Sequence, residues 1–207
     1  MNVRPLRFLA PMPRLGPDVQ NWAKELARIE DLGFHAVTIS EHYSQGWAME
    51  ALTAMNFALA STNHLRAMPL VLNNDLHHPA VLAKAISTAH VLSAGRVGLG
   101  IGAGWLQDDY KALGARYSPA PIRVARLEEA SRVIRAFLAG GVLFFDGEYY
   151  SLGGLEAIPS IAHGSHPPIL VGAGGRKCST WPRDTPISWD CIHEWGRVGS
   201  IKRRPTS

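Results

Sequence analysis

Five apolar segments of this 207-residue sequence end in polar residues or glycines, the residue types that exchange protons or admit ligands. The five ends read APMP from Ala10, SEHY from Ser40, LNND from Leu72, GAGW from Gly102 and GAGG from Gly172. An imidazole such as that of His42 exchanges protons near neutral pH, and glycines let a ligand come close to the backbone. The combination predicts a binding site with acid–base chemistry, provided that the fold brings these ends together.

The segments before these ends alternate with helical patterns. Short apolar or β-branched runs predict strands at 6–10, 34–40, 66–72, 96–104 and 167–172. Amphipathic periodicity predicts helices that start after the N-cap Asp18 and at residues 49, 79, 106 and 121. A β-hairpin is predicted over 142–150, turning at Asp146 and Gly147. This alternation predicts a parallel sheet, either open and doubly wound or closed as a (β/α)8 barrel.

The position of the glycines distinguishes these two folds. A dinucleotide-binding sheet carries its glycine fingerprint after the first strand, with an acidic residue about 20 positions further on. The nearest match here is GLGIGA from Gly98, in the fourth predicted strand, and position 118 holds Ser118. A barrel binds its ligand at the carboxyl ends of several strands, where the five polar ends lie. The pattern therefore favours the barrel.

Composition and charge argue against several classes of protein. With 46% hydrophobic residues the chain can bury a core as one domain, and no apolar run approaches the about 20 residues of a membrane span. Residues 178–207 hold five basic and three acidic residues, which leaves 16 basic and 14 acidic residues, a charge of +2, for residues 1–177. We therefore expect a cytoplasmic protein with no nucleic-acid or membrane partner. Cys178 and Cys191 lack the spacing of a zinc site, so no metal is expected.

Longer motifs carry a family resemblance. In order along residues 6–177, the stretches EDLGFHAVTISEHY, LVLNNDLHHPAVLAKAISTAHVLSAGRVGLGIGAGW, RVARLEEASRVIRAFLAGG and HPPILVGAGG resemble the bacterial-luciferase-like enzymes, which use flavin or deazaflavin. The nearest resemblance is to oxidoreductases that depend on coenzyme F420. It implies an α/β fold, an incomplete (β/α)8 TIM barrel with about five parallel strands and a hairpin insertion. It also implies hydride transfer between the deazaflavin and a small organic substrate, with FMN-dependent monooxygenation as the alternative.

The resemblance assigns roles to individual residues. His42 corresponds to a catalytic position beside the cofactor ring, where it donates or relays a proton, although a structural histidine bonded to a backbone carbonyl fits equally well. Glu41 is an orienting residue of the substrate pocket or part of a salt bridge at the barrel rim. Trp105 is a wall of that pocket or a core residue that covers the barrel mouth. Asp108 and Asp109 are assigned to the helix dipole rather than to catalysis.

Cofactor contacts are expected at three strand ends. At the first, Leu72 and Asn73, the family often carries a non-proline cis peptide, expected here between Val71 and Asn73, with an Asx turn at Asn73 as the alternative. At the second strand end, GAGW, small residues would let the backbone approach the cofactor ring. At the third, GAGG, the glycine loop would bind a cofactor phosphate or form a plain tight turn. The residues concerned are Gly102, Ala103 and Gly104 for the ring and Gly172, Gly174 and Gly175 for the phosphate.

Residues 178–207 depart from the family pattern. A complete barrel of this type needs eight strands and about 250 residues, whereas the stretch after Gly175 holds three of the six tryptophans and both cysteines. Rereading the messenger from the last base of the Lys177 codon permits a helix and a strand of the family's kind, so we interpret this stretch as a shifted reading frame. We expect residues 1–177 to form the amino-terminal part of a barrel and residues 178–207 an irregular tail. Open sheet edges then favour a homo-oligomer, and a non-catalytic fragment is a third alternative for the function.

Overall fold

The computed structural model describes residues 6–16, 18–44, 46, 49–161 and 166–172. Strands and helices alternate through most of this part of the chain, as the sequence predicts. The strands are β1 (Leu9–Pro11), β2 (Ala36–Ile39), β3 (Arg66–Pro69), β4 (Leu72–Asn73), β5 (Leu99–Gly102), β6 (Val142–Asp146), β7 (Ser151–Glu156) and β8 (Ile169–Gly172). The helices are α1 (Val19–Asp31), α2 (Ala51–Ser61), a 3-10 turn (Asn74–Leu76), α3 (Pro79–Leu92), α4 (Gln107–Ala112) and α5 (Ala120–Ala139).

The main strands are parallel and follow the order β1, β2, β3 in one group and β4, β5, β8 in the other. The two groups join at Ala67, whose N–H donates to Arg96 O at 3.1 Å and whose carbonyl accepts from Gly98 N–H at 3.0 Å. Because β3 and β4 follow each other along one segment, the sheet has five parallel positions. Strands β6 and β7 pair antiparallel. The predicted parallel α/β fold with a hairpin insertion is confirmed.

The predicted third strand is interrupted between β3 and β4. Leu70 N–H still donates to Ile39 O at 2.7 Å, so pairing with β2 continues as far as Leu70. The Leu70–Val71 peptide bond is cis, one bond earlier than the interval between Val71 and Asn73 in which it was expected. The Asx turn expected as the alternative is present as well, because the Asn73 side chain accepts from Asp75 N–H at 3.1 Å and caps the 3-10 turn.

Side chains that accept from the first free N–H groups mark the starts of α1 and α2. Asp18 caps α1 as predicted, with Gln20 N–H donating to its carboxylate at 2.9 Å. In α2 the cap is Glu50, which accepts from the second and third helical N–H groups at 3.0 and 2.7 Å. This helix therefore starts at Ala51 and not at the predicted residue 49.

The strands are shorter than the apolar runs that predicted them. β1 begins at Leu9, where pairing with Ala36 begins, and not at residue 6. β5 covers only Leu99–Gly102 of the predicted 96–104, and two residues later Gly104 takes a φ of +72°, outside the extended region. Glu41 and His42 therefore lie in the loop just beyond β2 and Trp105 in the loop just beyond β5, whereas Asn73 is the last residue of β4.

The hairpin is longer than predicted. In place of the expected two-residue turn at Asp146 and Gly147, residues 147–150 form the loop between β6 and β7. The reason is Glu129 of α5, whose carboxylate accepts from three consecutive N–H groups of that loop at 2.7–3.0 Å. A side chain on another element thus selects the loop that local turn chemistry did not indicate.

The hydrophobic core lies between the sheet and the helices that pack on it. Val37 of β2, Leu99 of β5, Ile86 of α3 and Ile134 of α5 each expose at most 1% of their surface. Such packing holds the carboxyl ends of the strands in fixed positions relative to one another. Among the described residues, no helix has the length and apolar character needed to cross a bilayer.

Candidate active site

The loops after β2 and β5 meet at a histidine–carboxylate pair. His42 Nδ1 lies 2.8 Å from Asp109 Oδ2, and the ring of Trp105 stands edge-on to the imidazole with centroids 5.9 Å apart. Because an ionised carboxylate only accepts, His42 Nδ1 is the donor of this hydrogen bond. The arrangement orients an acid–base group at the carboxyl end of the sheet.

Four hydrogen bonds from residues that the structure describes hold Asp109. Its Oδ1 accepts from Tyr43 N–H at 3.0 Å, Ser44 N–H at 2.9 Å and Ser44 Oγ at 2.7 Å, and only 3% of the residue is exposed. Burial alone would raise the pKa of Asp109, but the hydrogen bonds from His42, Ser44 and Tyr43 outweigh it and lower the pKa below its ordinary value. Asp109 is therefore ionised at neutral pH.

Asp108 and Asp109 behave differently although both open α4. Asp108 is exposed, which suits the predicted interaction with the helix dipole. Asp109 is buried, and the prediction that it serves only the dipole is wrong because it also anchors His42. The buried neighbour Tyr110 was the sequence signal for this difference, since it marks which side of the short helix packs inward.

Glu41 connects the end of β2 to the loop after β4. Only 5% of the residue is exposed, and its carboxylate accepts from Asn73 N–H at 2.7 Å and from the Tyr43 hydroxyl at 3.1 Å. It also pairs with His77 Nε2 at 2.8 Å. Burial, together with the Glu41 charge, raises the pKa of Tyr43 to about 12, so this hydroxyl stays protonated. The structure places Glu41 as a buried link between loops and leaves it almost no surface for a substrate.

Asn73 is fixed from its side chain as well as its backbone. The Tyr110 hydroxyl lies 3.1 Å from Asn73 Oδ1 and 3.2 Å from Asp75 Oδ2, within donating distance of both. Burial, aided by the Asp75 carboxylate, raises the pKa of Tyr110 to about 12, which keeps the hydroxyl a donor. By contrast Leu72, predicted as a cofactor contact, has no exposed surface because its side chain packs in the core.

Trp105 is presented to solvent by a firmly held loop. Its indole is 71% exposed, so the alternative of a core tryptophan is wrong for this structure. Tyr117 donates to Trp105 O at 3.1 Å, and the guanidinium of Arg123 lies 4.1 Å from the centre of the Tyr117 ring. Arg123 Nε also donates to Gly104 O at 3.1 Å. Sequence analysis missed both Tyr117 and Arg123, which fix the backbone carbonyls of Trp105 and Gly104.

Gly102 of β5 and Gly172 of β8 both lie close to the side chain of Val71. A Cβ on Gly102 would come 2.9 Å from a Val71 methyl, and one on Gly172 would come 3.0 Å from the other. At Gly104 the positive φ and the nearby Asn73 and Tyr110 side chains exclude a Cβ. Packing within the protein thus explains why these positions hold glycine. A contact with a cofactor ring would be a second role for them.

The last predicted elements of the site lie outside the described residues. Gly172 ends β8, but the loop residues Gly174 and Gly175, the boundary at Lys177 and the predicted tail 178–207 are beyond residue 172. The phosphate loop and the shifted reading frame stay predictions. Within the described ranges, no three histidine, cysteine, aspartate or glutamate side chains are grouped so as to hold a metal ion.

Comparison with known proteins gives consistent matches over this region. A model of the family described as luciferase-like monooxygenase matches residues 7–179. The F420-dependent glucose-6-phosphate dehydrogenase of Beutenbergia cavernae is 37% identical over 128 residues, 59% of this chain and 38% of that protein. The enzyme of the same name from Intrasporangium calvum is 34% identical over 180 residues, 82% of this chain and 53% of that protein.

Solved structures agree with the fold. The monooxygenase RslO1 from Streptomyces bottropensis superposes with a TM-score of 0.68 at 25% identity, covering 81% of this chain and 53% of that one. The parallel sheet described above therefore corresponds to part of a luciferase-like TIM barrel, as predicted. The chain spans about half the length, or less, of the relatives it matches.

Proposed function

This chain belongs to the luciferase-like monooxygenase family, and on that premise we propose that it is an oxidoreductase that binds coenzyme F420 and acts on a small organic substrate. The observation that carries the proposal is the pair of His42 and Asp109 beside the exposed Trp105, at the carboxyl ends of parallel strands. The relatives reported above, both F420-dependent glucose-6-phosphate dehydrogenases, support the choice of cofactor. A cytoplasmic location and a homo-oligomer remain predictions.

The residues present fit a flat, largely apolar ring. Trp105 offers an uncovered aromatic surface, and His42 offers an imidazole whose orientation is fixed by Asp109. Val71, half-buried beside Gly102 and Gly172, adds an apolar side chain near these strand ends. When bound, F420 supplies the carbon that gives or takes a hydride, and the protein must orient it and manage the proton.

Each residue then has a distinct part. His42 would donate or accept the proton at Nε2, because Asp109 keeps Nδ1 protonated and fixes the plane of the ring. Glu41 would hold Asn73 in place without touching the substrate. Trp105 would line the pocket, and the backbone at Ala103 and Gly104 would face the ring. Gly172, with the predicted loop of Gly174 and Gly175, would bind the cofactor phosphate.

A second candidate function is supported by the family description and by the likeness to a monooxygenase. In this alternative the chain binds FMN and takes part in monooxygenation. The protein groups are the same in both cases, because each ring needs an apolar surface and a proton donor. The two functions differ in the ring that binds, so affinity separates them.

We expect the 207-residue protein to bind F420 at least about 10-fold more tightly than FMN, a difference of about 1.4 kcal/mol. The measurement is a fluorescence titration with each cofactor in the same buffer. Tighter binding of FMN would favour the monooxygenase, and binding of neither would favour the non-catalytic fragment.

The same titration tests the histidine–carboxylate pair. Asp109→Asn should weaken F420 binding, because the amide no longer fixes His42 by a charged hydrogen bond. Asp108→Asn, one residue away and exposed, should leave the affinity unchanged and serves as the matched control. If both variants bound F420 as tightly as the parent, Asp109 would not contribute to the binding site.

A further inference from the structure

An ion pair links the long helix α5 to the loop after β4. Arg126 Nη1 lies 2.8 Å from Asp75 Oδ1, and the carboxylate of Asp75 is only 3% exposed. The contact is short but lacks the alignment of a full hydrogen bond. Burial by itself would lower the pKa of Arg126, but the Asp75 carboxylate outweighs it and raises the pKa. Asp75 therefore pairs with a group that stays positively charged, and its own carboxylate is almost completely buried.

The same carboxylate reaches the candidate active site through one aromatic residue. The Tyr110 hydroxyl lies between Asp75 Oδ2 at 3.2 Å and Asn73 Oδ1 at 3.1 Å. Asn73 in turn donates its N–H to Glu41 at 2.7 Å. A continuous chain of polar contacts thus runs from Arg126 to the buried carboxylate at the end of β2.

The hairpin loop covers the other side of Arg126. The guanidinium lies 5.5 Å from the centre of the Tyr149 ring, and the hydroxyl of Tyr150 accepts a long hydrogen bond of 3.4 Å from Asn74. Because Glu129 holds the N–H groups of this loop from the next turn of α5, the aromatic residues cannot move independently of the helix. The hairpin and α5 therefore contact the loop after β4 on the side away from the candidate active site.

We propose that Arg126 is a positioning residue that, through Asp75 and Tyr110, holds the loop of residues 72–75 in the conformation that accepts the cofactor. The assignment rests on the proposed function only in naming F420 as the ligand. The loop itself carries Asn73, whose backbone and side chain are both bonded to residues of the network. Loss of Arg126 leaves Asp75 charged, buried and unpaired, so the loop must rearrange to reach water.

The test compares the parent with Arg126→Gln and with the double variant Asp75→Asn/Arg126→Gln, which removes both charges and guards against simple unfolding. Arg132→Gln is the control, because Arg132 forms an exposed pair with Glu128 on the same helix. We expect faster amide hydrogen exchange over residues 72–77 in Arg126→Gln without cofactor, and about 10-fold weaker F420 binding. Both changes should be smaller in the double variant, because it leaves no buried charge unpaired. Arg126→Lys should restore part of the affinity, because it keeps the charge.

Two results would overturn the proposal. One is unchanged exchange over residues 72–77 in folded Arg126→Gln. The other is an equal loss of F420 affinity in Arg126→Gln and Arg132→Gln. If the parent binds no F420, the proposed function fails, and the exchange measurement still decides whether Arg126 positions the loop.

Discussion

Replacing Glu41 with alanine is expected to lower the free energy of unfolding by about 3–5 kcal/mol, a large share of the about 5–15 kcal/mol typical of a domain. The Glu41 carboxylate is 2% exposed and accepts from Asn73 N–H, Tyr43 and His77. Its removal leaves the buried Asn73 N–H and the partly buried His77 ring without their acceptor, and each unsatisfied group costs about 1–3 kcal/mol. Urea unfolding followed by circular dichroism measures the change.

Two further variants make this result specific. Glu41→Gln keeps the shape of the side chain and one acceptor oxygen. Its free energy of unfolding should therefore lie between those of the parent and of Glu41→Ala. Glu128→Ala removes a carboxylate that is 45% exposed and pairs only at the surface, and should cost about 0.5 kcal/mol or less. A Glu41→Ala protein as stable as Glu128→Ala would show that Glu41 does not connect β2 to the loop after β4.

Gly104→Ala is expected to destabilise the protein by about 3 kcal/mol and to weaken F420 binding with it. Two costs add at this position. The backbone has a φ of +72°, which residues with a Cβ rarely adopt, and the new Cβ would overlap both Tyr110 Oη and Asn73 Oδ1. Because Tyr110 is 1% exposed, it cannot swing into solvent to make room.

Gly114 provides the matched control for this substitution. Its φ is +65°, yet no heavy atom lies within 4 Å of the position that a Cβ would occupy. Gly114→Ala should therefore show only the backbone cost, about 1 kcal/mol. Thermal unfolding of both variants separates the two terms. Equal losses of stability would mean that Asn73 and Tyr110 do not enclose Gly104 as described.

Features encoded by neighbouring residues were predictable from the sequence. The apolar runs ending at Ile39 and Gly102 and the cap at Asp18 depend on contacts within a few positions. The parallel order then follows from the alternation of strands and helices. The position of His42 just beyond β2 follows in the same way.

Features that depend on distant residues were not predictable. His42 and Asp109 are 67 positions apart, so no pattern within a few residues of either one predicts that they meet. The length of the hairpin loop depends on Glu129, about 20 positions before it. The buried link at Glu41 depends on the break between β3 and β4, which places Asn73 N–H within reach.

The central claim is that F420 binds at the carboxyl ends of the strands, beside His42 and Trp105. Its most direct test is hydrogen–deuterium exchange of the 207-residue protein with and without F420. We expect slower exchange in peptides that cover residues 40–44, 70–75 and 102–106, and no change at the amino ends of the strands, residues 33–36 and 64–67. Protection at the amino ends, or protection confined to residues 173–207, would contradict it.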